Sequence, residues 1–418
     1  MKSAEHGKAK KLIFDALHLD CNLPSADSVA QMQPEDWAFL CDIEKLHRLG
    51  PMLHRRLSGF AVPEAVSDQL KASQRRHAMR NLKIYRELLS VTRILNDANI
   101  PSIALKGAYL ARFAYPDPGL RPMRDLDLLI RQEQVVAAFE LLKVNGYQQV
   151  SEKGLPETHL AHSEHLPALV SPDGIAIELH HRLISDVNFG SLSGSDDAFW
   201  SRSILKSVGG AQVRFLAPED LLLHLCVHAT QRHQFNLGPL ALTDIVFLLE
   251  THRIDWQAFY RTLSYGNWQR FALSLLQLSK LKVGADIPEE VIVALGKCDS
   301  DVAWQKSAEY MLFSELDDHR LMTENVGNFI YSRSLAEKIS SFSEMLFPAR
   351  SIIARDFPVS ASSPLVFLYY PMRWHRLISR KLPPLIRALA GQRKSLRQLA
   401  MHRKVLDEWL HQDTGSAK

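Results

Sequence analysis

Ser102-Ile103-Ala104-Leu105-Lys106-Gly107 and, eighteen residues on, Asp125-Leu126-Asp127-Leu128-Leu129-Ile130 are the two stretches that decide the fold. The first is a short apolar run bounded by Pro101 and Gly107, which suits a buried strand, and Ala108 to Ala114 follows it as a helix. A loop rich in Pro, Gly and Arg, from Tyr115 to Arg124, leads into the second run, again a strand. Glu133 to Val144 then reads as a helix ended by Asn145-Gly146. Farther on, His165 to Val170 and Ile175 to His180 are short apolar runs joined by Ser171-Pro172-Asp173-Gly174, whose Pro and Gly fit a tight reversal, so a hairpin is expected.

On either side the period is helical. From Ala9 to about Leu95 apolar residues recur at three and four, as in Leu46, Leu49, Leu53 and Leu57, and Tyr85 to Ile100 is a long amphipathic helix. Beyond Pro218 the clearest helices are Glu219 to Thr230, Leu240 to Glu250 and Trp256 to Leu281. The expected class is α+β, a small mixed-sheet core flanked by N-terminal and C-terminal helical regions. A chain of 418 residues has room for two or three domains. The divisions expected are a helical region over 1–84, the α+β core over 85–185, a helical domain closing its cleft over 186–298, and a C-terminal helical region over 299–418.

With 46% apolar and 23% charged residues, disordered, collagenous and disulfide-rich secreted classes are excluded. The net charge of +4 hides an asymmetry: from Phe357 to Leu406 there are ten Lys or Arg and no Asp or Glu, leaving 40 bases against 46 acids elsewhere. Cys21, Cys41, Cys226 and Cys298 form no CxxC pair, and no run has the apolar length of a signal peptide or spanning helix. A cytoplasmic protein is expected.

The chemistry concentrates at Asp125 and Asp127. Two residues apart on a strand, their carboxylates share a face about 6 to 7 Å apart along the chain. That spacing suits divalent cations, which oxygen-rich sites hold through a few carboxylates together with substrate phosphates. A DxD triplet alone is weak, and Glu315-Leu316-Asp317 has the same form without strand or glycine context. Gly107, at a strand-to-helix turn, lets phosphate approach the backbone, with Lys106 beside it. On the hairpin, Ala176, Glu178 and His180 share the polar face, and Glu178 would complete an acidic triad. The spacing serves a strand whose polar face simply meets water equally well.

The run Ala104-Leu105-Lys106-Gly107-Ala108-Tyr109-Leu110, then Tyr115 to Ile130 with Arg121-Pro122-Met123-Arg124-Asp125-Leu126-Asp127, resembles the uncharacterised nucleotidyltransferase family of the polymerase-β-like superfamily. Ile177-Glu178-Leu179-His180-His181 is similar to that family's ELHW stretch, with His181 where an aromatic is more usual. Gly107-Ala108 replaces the superfamily's common Gly-Ser or Gly-Gly, which removes one hydroxyl from the phosphate grip. The resemblance covers roughly residues 40 to 290. It implies transfer of a nucleoside monophosphate from an NTP, ATP foremost, to an unidentified acceptor with release of pyrophosphate. It also implies that Asp125 and Asp127 hold Mg²⁺ (or Mn²⁺) and that Glu178 holds the catalytic metal and helps deprotonate the acceptor. Arg121 and Arg124 would meet triphosphate oxygens, unless they are plain surface.

His224 and His228 share one helix face, with Asp244 following on the next helix. They suit lining of the nucleotide or acceptor cleft, packed structural histidines, or a zinc pair lacking a third ligand and the glutamate of HExxH. Cys226 points to the opposite face. The basic segment 357–406 reads as two amphipathic helices split by Pro383-Pro384. Its basic face fits RNA, an anionic membrane surface, or the acidic body of its own chain. Two alternatives to an ordinary transferase stand beside it: a catalytically silent nucleotide-binding accessory protein, and a toxin-like enzyme that modifies tRNA.

Overall fold

The computed structural model describes residues 6–20, 23–150, 156, 159–160, 163–186, 190–193, 196–296, 302–314, 334–357, 359–381 and 394–411. At its centre are β1 (Ser102–Ala104), β2 (Asp125–Ile130), β3 (Gln148–Gln149), β4 (Leu169–Val170), β5 (Ala176–His180), β8 (Ile204–Val208) and β9 (Ala211–Phe215), in the sheet order β3-β4-β5-β2-β1-β9-β8. A separate ribbon pairs β6 (Arg182–Asp186) with β7 (Gly190–Ser193). Strand β2 runs antiparallel to β1 and parallel to β5, so the sheet is mixed. Flanked on both edges, β2 buries Leu126, Leu128, Leu129 and Ile130, which is why it reads as an almost unbroken apolar run.

The hairpin forms with Leu169 opposite Ile177 and Val170 opposite Ala176. The rest of its first arm is reduced to an isolated pairing of His165 with His180. That pairing sets His165 beside the polar face of β5.

One helix, Glu64–Asp97, runs past this sheet for 34 residues, about 50 Å at 1.5 Å per residue. It begins 21 residues before the start expected at Tyr85. Its first half hides the signal, because between Leu70 and Ile84 only Ser73 and Asn81 are buried. The stretch expected as one helix from Trp256 to Leu281 is two, Trp256–Leu263 and Gln269–Val283. Ser264, Gly266 and Asn267 form the turn between them, where small and turn-forming residues release the helix. Two helices bordering the sheet widen into π turns, Leu110–Ala114 after Gly107–Tyr109 and His228–Arg232 after Pro218–Val227. Such widened turns occur often at functional sites.

Buried apolar residues from Ala9 to Leu410 form one continuous core, and Ile353, Phe357, Val359, Val366 and Tyr370 form a small second one. The Lys394–Leu410 helix buries Leu399, Leu406 and Trp409 in the main core, with Trp409 stacked on Trp304 at 4.5 Å between ring centroids. This end of the basic segment therefore docks on its own chain through an apolar face. The expected break at Pro383-Pro384 lies outside the described residues, as do Cys21, Cys298 and the Glu315-Leu316-Asp317 triplet.

Candidate active site

Parallel pairing of β2 with β5 sets Asp125 opposite Ala176, Asp127 opposite Glu178 and Leu129 opposite His180. The shared pleat brings Asp127, Glu178 and His180 onto one face, with ligand atoms all within 4.8 Å of one another. Among the described residues this is the one group of three or more potential metal ligands. His180 Nε2 lies 3.0 Å from Asp127 Oδ1 and 3.6 Å from Glu178 Oε2. Lys106 Nζ sits 3.4 Å from Asp127 Oδ2 on the other side. His180 is only 2% exposed, so the reading in which it faces water fails.

Lys106 is held in place by its backbone. Its φ of 47° lies in the left-handed region, a conformation that costs a non-glycine residue on the order of 1–3 kcal/mol. The preceding amide of Leu105 donates to the Asp127 carbonyl at 3.0 Å, so the end of β1 and the middle of β2 are locked together just where the lysine turns inward.

The four charges tune one another. Burial pushes the Asp125 carboxyl up to about 6, helped by the like charges of Asp127 and Glu178 and opposed by Lys106 and Arg124. For Asp127 burial acts upward as well, but Lys106 and the His180 hydrogen bond outweigh it and hold the group well below the usual carboxylate range. Glu178 is likewise lowered, burial being outweighed by His180 and His165. His180 is raised: its burial acts downward, and its bonds to the two carboxylates prevail.

A cleft of about 300 Å³ opens onto this cluster. Lys106, Gly107, Arg121, Arg124, Asp125, Asp127, Glu178, His180, His228 and Asp244 all line it. His224 does not; its buried ring borders an adjoining cavity of about 130 Å³, which His228 also touches. Burial holds both histidines well below their ordinary value, with Lys106 adding to the effect, so they are neutral. Cys226 is fully buried and its thiol is pushed up by that burial.

Arg121 is committed within the protein. Its Nε and Nη2 donate to Asp244 Oδ1 and Oδ2 at 3.1 and 2.8 Å, and the Tyr115 hydroxyl donates to the same Oδ1 at 2.9 Å. Burial alone would lower the guanidinium, but Asp244 raises it overall. Gly107 is needed for this arrangement, because a Cβ there would collide with the Arg121 guanidinium. Arg124, by contrast, is exposed at the mouth.

Several residues around the cluster carried no local signal. Asn81, buried in the long helix, clamps the loop before β2: its Nδ2 donates to the carbonyls of Pro118 and Arg121 at 2.6 and 2.8 Å, and its Oδ1 accepts from Met123 N at 3.0 Å. Arg48, the left-handed residue ending the Pro34–His47 helix, also reaches the cleft. His165, 3.8 Å from Glu178, was not legible either, because the register of the hairpin's paired residues would set it opposite His181 and only a one-residue shift brings it to His180.

A model of an uncharacterised nucleotidyltransferase family matches residues 33–284. The chain belongs to that family. No curated protein matches it. The match to this nucleotidyltransferase family runs from the helix that ends in Arg48 to the glycine closing the Gln269–Val283 helix, and so includes every residue that lines the cleft.

Proposed function

We propose that the protein transfers a nucleoside monophosphate from an NTP to an acceptor hydroxyl at the carboxylate cluster of β2 and β5, releasing pyrophosphate. The observation that carries this reading is the register: parallel pairing puts Asp127 beside Glu178 on one face, at the floor of a cleft that also contains Asp125 and Lys106.

The residues fit a divalent cation. Two of the three clustered donors, Asp127 and Glu178, are carboxylates, the preferred ligands of Mg²⁺ and Mn²⁺, and Asp125, outside that cluster but in the same cleft, is held towards protonation partly by two like charges that a cation would offset. Asp125, Asp127 and Glu178 would hold it, with His180 hydrogen-bonded to Asp127 and 3.6 Å from Glu178. When bound, the cation would neutralise phosphate charge and acidify the attacking hydroxyl.

The chain's own groups supply the rest. Lys106 presents its ammonium at the inner wall and Arg124 its guanidinium at the mouth, two fixed positive charges for the phosphates to approach. Glu178, kept ionised by His180 and His165, is the base that accepts the acceptor's proton. Arg121 acts by position, tying the loop before β2 to Asp244. Catalysis of this kind is mainly placement and fixed charge.

The test is an incubation with Mg²⁺ or Mn²⁺, an acceptor screen and NTPs labelled at either the α or the γ phosphate, starting with ATP. Label from the α position alone in the product supports the proposal. Label from the γ position would make the protein a kinase instead.

A further inference from the structure

Outside the cleft, the Glu64–Asp97 helix carries a run of positive charge. From Gln69 to Arg86 it carries Lys71, Arg75, Arg76, Arg80, Lys83 and Arg86 and no Asp or Glu. Arg76, Arg80 and Lys83 follow one another at four and three residues, so they share a face over about 10 Å. With Arg75 they line a groove of about 440 Å³ that also includes Met79, Asp173 and Ile175. The one carboxylate in it, Asp173, is already bonded to Arg86. Among the described residues, Arg75, Arg76 and Lys83 form no ion pair.

The groove and the cleft share no lining residue, but they adjoin through Arg80 and through the start of β5. Ile175 precedes Ala176, the residue opposite Asp125. Arg80 Nη2 donates to the Arg124 carbonyl at 2.5 Å, and Arg124 and Arg48 line the mouth. Arg48, Arg80, Arg121 and Arg124 stand close enough for the last three to depress Arg48, after burial itself. Arg121 has Asp244, but among the described residues Arg48 and Arg124 form no ion pair, Asp125 being the nearby carboxylate that both feel. Fixed cations in a row are complementary to regularly spaced phosphates.

We propose that the groove is the track of a single-stranded nucleic acid that enters 3′ end first and is the acceptor. Its phosphates run over Lys83, Arg75, Arg76 and Arg80 and turn past Arg124 and Arg48. This rests on the transfer reading above and names its acceptor class. In the reaction the terminal hydroxyl oxygen bonds to the α-phosphorus and its proton passes through Glu178 to solvent. The bond from that phosphorus to the bridging oxygen breaks, and pyrophosphate leaves with the electron pair.

The experiment is fluorescence anisotropy with 5′-labelled twelve-nucleotide RNA and DNA strands against the full chain and its R75E/R76E/K83E variant. A milder R75Q/R76Q/K83Q variant guards against loss of fold. Wild type is expected to bind one or both strands, and the variants to bind more weakly, with log affinity against log salt shallower by about 2 for three lost phosphate contacts. Mg-ATP binding by calorimetry should be unchanged. Equal binding by wild type and both variants, or none by wild type, overturns the proposal. So does loss of binding to anionic lipid vesicles in the variants with strand binding intact. Charge-dependent strand binding without nucleotide incorporation sinks the transfer reading alone. Incorporation into a small acceptor without strand binding sinks only the track.

Discussion

Arg121 and Asp244 face each other in a two-point grip, Nε to Oδ1 at 3.1 Å and Nη2 to Oδ2 at 2.8 Å, which joins the loop before β2 to the Leu240–Thr251 helix. The two side chains are 14% and 6% exposed, so neither charge is well solvated if the other is removed. Breaking such a pair from one side costs about 3–5 kcal/mol. Asp244→Ala is therefore expected to lower the urea midpoint by a corresponding amount. The apolar pair Arg121→Met with Asp244→Leu should lose less than the two single changes together. An unchanged midpoint for Asp244→Ala would show that the pair does not brace the cleft.

Gly107→Ala places a methyl group against that same guanidinium. Overpacking of this kind costs roughly 1–3 kcal/mol. The loss should shrink sharply in an Arg121→Ala background, where the obstacle is gone, and a double-mutant cycle by urea denaturation reads the coupling. Equal costs in both backgrounds would mean that the glycine answers to something other than Arg121.

Asn81→Ala removes three hydrogen bonds at once and leaves the Met123 amide and two carbonyls to find other partners. A buried group left unsatisfied costs about 1–3 kcal/mol. Because the clamped loop leads directly into Asp125, nucleotide affinity should fall at temperatures where circular dichroism still reports a folded protein. Full affinity in the folded variant would mean that the loop holds its shape without the clamp.

Acid should destabilise the protein through buried neutral histidines. Burial lowers His47 from 6.5 to about 4, Arg48 adding to the effect, and His77 is lowered to about 4 by burial and by Arg48, Arg76 and Arg80. Between those values the unfolded chain binds protons that the folded chain refuses. The contribution is thus complete above about pH 6.5, falls as the pH drops towards 4, and is lost below that. Melting temperatures from pH 7.5 to 4.5 should decline, and His47→Gln should decline less steeply. Parallel slopes would remove His47 from the account.

The sheet was legible because its signals are local. The apolar runs flanking Lys106-Gly107 and following Arg124 mark β1 and β2, and the alternation around Glu178 assigns its face before any partner is known. Asn81 and Arg48 were not legible, since their roles depend on contacts about 40 to 80 residues away in sequence and on burial, to which neither residue type is a guide. Arg121 shows the limit most clearly: a loop arginine beside two aspartates suggests a phosphate ligand, and only the packing of the Leu240–Thr251 helix reveals Asp244 in its grip. The unequal ionisation of Asp125 and Asp127 is likewise a product of three dimensions, because it depends on which of two like residues faces Lys106 and His180.

The central claim is tested most directly by measuring transfer of α-labelled nucleotide, with pyrophosphate release, by wild type and by Asp127→Asn under Mg²⁺ or Mn²⁺. The carboxamide keeps the shape and removes the charge that Lys106 and His180 share. The account expects labelled acceptor and matching pyrophosphate from wild type, and a folded variant at least about 100-fold slower, the loss typical of removing one electrostatic group from a site of this kind. A folded Asp127→Asn protein that transfers nucleotide at the wild-type rate would contradict it.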